Sequence, residues 1–155
     1  MELRAHPYRS QVRLLLGTAL VMFVITVVIG ILHGTDLVDF DRKVLLTHVH
    51  VGTLAWITLS VFASTLWLFA DRPLEGAADG WARIGPALAA GTIVVYDLTF
   101  LTTTGYVRPV VGSVAAATIL GWFAWAVVQA RGRDVSVPMW GLLAALATSV
   151  TGGVI

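Results

Sequence analysis

The chain contains no cysteine. This excludes disulfides, thiolate metal sites and cysteine-bound iron–sulfur clusters. Charge is scarce as well: Asp, Glu, Lys and Arg make up 12% of the 155 residues, about half the share in a soluble domain. The formal net charge is +1, so there is no basic footprint for nucleic acid. A phosphate-binding glycine loop is missing, and so is a Ser-His-Asp arrangement. What is abundant is apolar: 57% of residues are hydrophobic and the mean hydropathy is +0.85. A water-soluble globule of this size cannot hide so much apolar surface, and a disordered chain would be polar. The composition predicts an all-α, polytopic membrane helical bundle embedded in a lipid bilayer.

Five apolar runs lie near 14–32, 44–70, 84–104, 110–130 and 137–155. Each is close to or above the roughly 20 residues that a helix needs to cross a bilayer. None shows the period-2 alternation of a barrel strand. The chain therefore reads as one membrane domain of about five transmembrane helices. With the N-terminus in the cytoplasm, seven basic residues fall on the inner side and three on the outer, as the positive-inside bias requires. The expected location is a bacterial-type inner membrane. The sequence stops in Thr151-Gly152-Gly153-Val154-Ile155, without the charged or aromatic anchors into which spans usually emerge. The expectation is the N-terminal part of a longer subunit.

The chemistry concentrates in Leu45-Leu46-Thr47-His48-Val49-His50-Val51-Gly52-Thr53-Leu54-Ala55-Trp56, at the outer start of the second span. Histidine in a span usually faces a bundle interior, and neutral imidazole is a common metal and haem ligand. On a regular helix, positions i and i+2 point about 200° apart, so at most one of His48 and His50 faces a shared cofactor. His48 shares its face with Gly52 and Ala55, which leave room for a flat porphyrin or for a close helix. His50 shares its face with the bulkier Thr53, Leu54 and Ile57. His48 is therefore the preferred ligand and His50 the alternative. Two interfacial histidines with no cofactor would also satisfy the pattern.

Asp97 is the one acidic residue deep in an apolar run. A carboxylate there must be protonated, paired or hydrated. Counted from the outer edge, Asp97 and the two histidines lie within one turn in depth. Asp97 is thus a candidate to orient a histidine or to handle protons. Arg108, in the outer turn Gly105-Tyr106-Val107-Arg108-Pro109, is a candidate partner for Asp97 or for a haem propionate. A lone snorkelling arginine needs neither.

The stretch Leu45 to Phe69, with His48-x-His50 followed by Ala55-Trp56, resembles the second helix of haem-copper oxidase subunit I. The likeness is greatest to the C-type oxidase and nitric oxide reductase side, including oxidase-like membrane proteins of the nitric-oxide-response type. Ala55 stands where a glycine is expected. The resemblance implies that His48, with His50 as the close alternative, binds a low-spin haem, and that Arg42 or Lys43 fills a recurring basic position before it. It implies an electron-transfer role, with further oxidase subunits and a cytochrome c or quinol donor as partners. The copper or non-haem iron site of that family needs histidines on later helices, and no histidine follows His50. That metal site is not encoded in this stretch. The alternative expectation is a cofactor-free membrane accessory, assembly or sensor protein. A small proton- or ion-coupled transporter is a third class, and it would need discontinuous helices and half-repeats.

Overall fold

The computed structural model describes residues 6–103 and 105–152. Five helices account for most of them: α1 (Arg9–Gly34), α2 (Arg42–Phe69), α3 (Gly76–Thr102), α4 (Val107–Ala130) and α5 (Val137–Gly152). The first four contain 24 to 28 residues and are apolar enough to cross a membrane. The fifth has 16 residues, about 24 Å of helix. It is apolar but shorter than a full span, and residues 153–155 of the expected fifth run lie outside the described residues. The chain is therefore a helical membrane bundle with four long apolar helices and one shorter one.

Local chemistry sets the boundaries. α1 ends in a Schellman turn: the Asp36 N–H donates to the His33 carbonyl and the Leu37 N–H to the Leu32 carbonyl, both at 3.1 Å. The residue in the left-handed region is Asp36, at φ 56°, where glycine is usual. α2 begins at Asp41, whose carboxylate accepts from the Val44 N–H at 2.9 Å, an N-cap on the third helical residue. Gly105 and Gly132 take positive φ in the turns after α3 and α4, a conformation that costs glycine little.

α3 begins eight residues before the apolar run that marks it in the sequence. Its first turns contain Asp79 and Arg83, paired at 2.8 Å, so polar residues extend the helix beyond the hydrophobic stretch.

One buried stripe from each of α1, α2 and α3 forms the core. α1 contributes Leu15, Ala19, Met22 and Thr26. α2 contributes Val51, Ala55, Leu59, Phe62 and Leu66, and α3 contributes Ala82, Ala89, Ile93 and Asp97. Small residues on α3 let the backbones approach. α4 closes the bundle with Trp122, stacked on Phe62 at 4.8 Å between ring centroids. Trp81 lies inside as well, edge-on to Trp122. A Cβ on Gly85 or Gly121 would meet the Trp81 ring at 3.1 or 3.0 Å, so both glycines make room for it. The opposite side of α1 exposes Leu16, Leu20, Val21, Val24, Val28 and Ile31. An unbroken apolar outer face of this kind is suited to lipid.

The winding of α2 is not uniform. Arg42–His50 and Leu59–Phe69 are α-helical, and the eight residues Val51–Thr58 between them are wound as a π-helix. Such segments are rare and cluster at functional sites. No residue in Val51–Thr58 signals this winding in the sequence.

Candidate functional site

His48 and His50 leave α2 on different sides. His48 lies against α1. Its Nδ1 is 2.8 Å from Thr26 Oγ1, and the same hydroxyl donates to the His48 carbonyl, also at 2.8 Å. A hydroxyl has one proton to give. With that proton on the carbonyl, Nδ1 must be the donor in the other bond, and the lone pair is left on Nε2. The ring also covers Gly30, where a Cβ would meet His48 Cε1 at 3.2 Å. One turn along α2, a Cβ on Gly52 would meet Thr26 Oγ1 at 3.2 Å. The small residues on the His48 face thus admit a close helix, with Thr26 clasping α2 through two hydrogen bonds and one tight contact.

His50 lies against α3. Its ring stacks on Phe100 with centroids 3.9 Å apart and meets the edge of Tyr96 at 6.1 Å. Its Nδ1 is 2.7 Å from the Leu46 carbonyl. A carbonyl can only accept, so Nδ1 is the donor and Nε2 again holds the lone pair. His50 lines a groove of about 840 Å³ between α2, α3 and α4, within the range of ligand sites. Leu54 and Ile57 continue this wall of α2, and Tyr96, Phe100 and Arg108 face them. Gly112 is required there, because a Cβ would come within 2.9 Å of the Tyr96 ring.

Arg108 stands at one end of the groove. Its Nη2 donates to the Phe100 carbonyl at 2.8 Å and its Nε to the Thr99 carbonyl at 3.3 Å. Its guanidinium carbon lies 4.9 Å from the Phe100 ring centroid. The side chain thus adds donors at the last turn of α3, where the Thr99 carbonyl also accepts from the Thr103 N–H and hydroxyl. It does not bond to Asp97.

Asp97 is 1% exposed, and neither carboxylate oxygen has a hydrogen-bond partner among the described residues. The His–carboxylate pair expected from depth is not formed. The depth itself agrees, since His50 packs on Tyr96 and Phe100, which bracket Asp97 in α3. The difference lies in direction, because His48 is taken by α1 and His50 by its own helix and Phe100. His33, at the end of α1, has a buried Nδ1 without a partner among the described residues and lies near Phe40. Among the described residues, no three His, Asp or Glu side chains converge as a metal-binding group.

A different polar cluster occupies the other end of the bundle. The Tyr8 hydroxyl donates to Asp79 Oδ1 at 2.6 Å and accepts from the Leu74 N–H at 2.9 Å. Arg83 Nε donates to Asp79 Oδ2 at 2.8 Å. Burial, and then the hydrogen bond to Asp79, push the Tyr8 hydroxyl above its ordinary value of 10.0. His6 stacks on Trp67 at 4.3 Å, donates from Nε2 to the Trp67 carbonyl and accepts the Tyr8 N–H on Nδ1. These contacts make His6 part of the fold. Arg133 ties the end of α2 to the turn after α4 through the Phe69 carbonyl and Asp71.

No protein-family profile matches the chain, and no curated protein or solved structure is significantly similar to it.

Proposed function

We propose that this chain is a haem-binding electron-transfer part of a membrane subunit, of the kind its second helix resembles in the haem-copper oxidase and nitric oxide reductase family. The observation that carries this reading is the state of His50. Its Nδ1–H is fixed on the Leu46 carbonyl at 2.7 Å, and its unprotonated Nε2 belongs to a ring that lines the groove, where apolar side chains alternate with Thr, Ser, Tyr and Arg. Histidines that ligate a metal commonly donate the other ring N–H to a backbone carbonyl in this way. The groove is large enough for a flat macrocycle, and Arg108 places a cation at its end for a carboxylate. These residues would hold a haem, with His50 supplying a nitrogen to its iron.

When bound, haem supplies one-electron chemistry. The chain's own residues do the rest. Leu46 fixes the tautomer of His50, Phe100 fixes its ring plane, and Leu54 and Ile57 keep water from that wall. His48 supports the site by seating α2 on α1. The N-terminus is assigned to the cytoplasm and the membrane to a bacterial-type inner one. Further oxidase subunits and a cytochrome c or quinol donor are the partners this reading implies.

A second reading has one observation in its favour: among the described residues, His50 is the one histidine that lines the groove. That suits a cofactor-free accessory, assembly or sensor protein. Absorption spectra after haem-replete expression separate the two. The haem reading expects a Soret band in the wild type that His50→Ala abolishes and His48→Ala retains. Absence of the band from folded wild-type protein refutes it. A band lost in H48A and kept in H50A moves the ligand to His48.

A further inference from the structure

Two aspartates lie on the inward stripe of α3, and they have opposite surroundings. Asp79 accepts from the Tyr8 hydroxyl and from Arg83. Asp97, eighteen residues further along the same helix, accepts from nothing among the described residues and is 1% exposed. Eighteen residues are five full turns, so the two carboxyls project from the same side of α3, about 27 Å apart along its axis. The same interval separates Tyr8 from Thr26 on the neighbouring parallel helix. Because Tyr8 bonds Asp79, this register carries Thr26 and Asp97 to one level. Thr26 offers Asp97 no proton, since its hydroxyl is spent on the His48 carbonyl. Arg108 directs its bonds at the Thr99 and Phe100 carbonyls and makes none to Asp97.

We propose that Asp97 is a proton-holding site within the bundle, distinct from the groove of His50. An ionised carboxylate without a single donor costs several kcal/mol in such surroundings. The same group as a neutral acid carries one proton and no charge. It sits five residues before the end of α3, about 8 Å from that surface. There it takes a proton from the water on that side and returns it as the Oδ–H bond breaks. Acidic groups at such depths in spanning helices mark proton relays. The titratable or charged groups in the half of the bundle that holds Asp97 are His33 on α1, Arg42, Lys43, His48 and His50 on α2, Tyr96 on α3 and Arg108 on α4; Arg9, Arg13, Asp79 and Arg83 lie toward the other end, and α5 has none. None of them is hydrogen-bonded to Asp97. This inference does not rest on haem binding.

Infrared spectroscopy of the full chain in lipid vesicles tests it. The expected result is a protonated-carboxyl C=O stretch at pH 7, where exposed aspartates with an ordinary value of about 3.9 have ionised. The band shifts on deuteration, disappears in Asp97→Asn and persists in Asp79→Asn. If D97N does not fold, Asp97→Glu keeps the acid and moves the band. Absence of a protonated-carboxyl band from the wild type overturns the proposal, as does a band that D97N, or where D97N does not fold D97E, leaves unchanged. So does a carboxylate band at Asp97 that responds to exchange of sodium for choline, since the occupant is then a metal cation.

Discussion

The two ends of the bundle solve the same problem differently. At the Tyr8 end, the polar atoms of Tyr8, Asp79, Arg83, His6 and Arg133 meet one another or a backbone group. At the His48 end, His48 and His50 each bond through Nδ1, Asp97 bonds through neither oxygen among the described residues, and α2 departs from α-helical winding. A buried polar group left without a partner costs stability. The contrast is one of acids, since the buried indole N–H groups of Trp81 and Trp122 also have no partner among the described residues. The Tyr8 end ties its acid to a hydroxyl and a guanidinium, and the His48 end leaves its acid without a partner among the described residues.

The contrast is broken most severely by removing Tyr8. Tyr8→Ala deletes a side chain that is 1% exposed and also strands the Leu74 N–H and Asp79. The expected loss is about 3–5 kcal/mol, the range for large aromatic truncations, measured by reversible denaturation in mixed micelles. Tyr8→Phe keeps the ring and loses only the hydroxyl bonds, at about 1–3 kcal/mol. Alkaline titration sharpens the point. The Tyr8 hydroxyl holds its proton more tightly folded than unfolded, because its value is raised. Its contribution is therefore complete below about 10 and is lost as pH rises through the folded value. Stability should decline above pH 10 in the wild type, and Y8F should remove that part of the decline. An identical alkaline profile in Y8F would show that Tyr8 does not bind the two ends of α1 and α3 together.

The spans were legible because membrane helices follow hydrophobicity over long windows. The runs near 14–32 and 110–130 fall within Arg9–Gly34 and Val107–Ala130. What the runs missed was polar helix: Gly76 to Arg83 is helical because Asp79 and Arg83 pair on it and Tyr8 docks there. The opposite facing of positions 48 and 50 was legible from helical geometry, as was the company of His50 with Leu54 and Ile57. The preference between the two histidines rested on side-chain bulk, and bulk is ambiguous. Gly52 makes room for Thr26 of another helix, a contact that requires knowing which faces meet. Trp81 shows the same limit, since its place beside Gly85 and Gly121 depends on two helices at once. The π winding of Val51–Thr58 has no local signature in the sequence.

A smaller test concerns the link between the ends. Thr26→Val preserves shape and removes the hydroxyl that clasps His48. Hydrogen bonds between membrane helices average about 0.6 kcal/mol and reach about 1.7, and the expected loss lies in that range. Thr26→Ser restores the hydroxyl and should recover most of it. If the clasp seats the site, T26V also broadens the ring NMR resonances of His48 and His50, while Y8F leaves them sharp. Equal broadening in both variants would mean that the two ends are mechanically one unit.

The smallest expected effect lies in the turn that follows α1. Asp36 adopts φ 56° in a position that a Cβ disfavours by roughly 1–2 kcal/mol, somewhat less for aspartate, whose short polar side chain tolerates the region. Asp36→Gly should therefore stabilise the folded chain, by about 1 kcal/mol at most, because glycine also gives the unfolded chain more freedom. The Schellman bonds of Asp36 and Leu37 are backbone bonds and survive the change. A gain in unfolding midpoint with no change at His48 or His50 would show that the His48 end tolerates a firmer connection, so that its open polar atoms do not depend on a strained turn. A gain accompanied by altered histidine resonances would place that turn within the site.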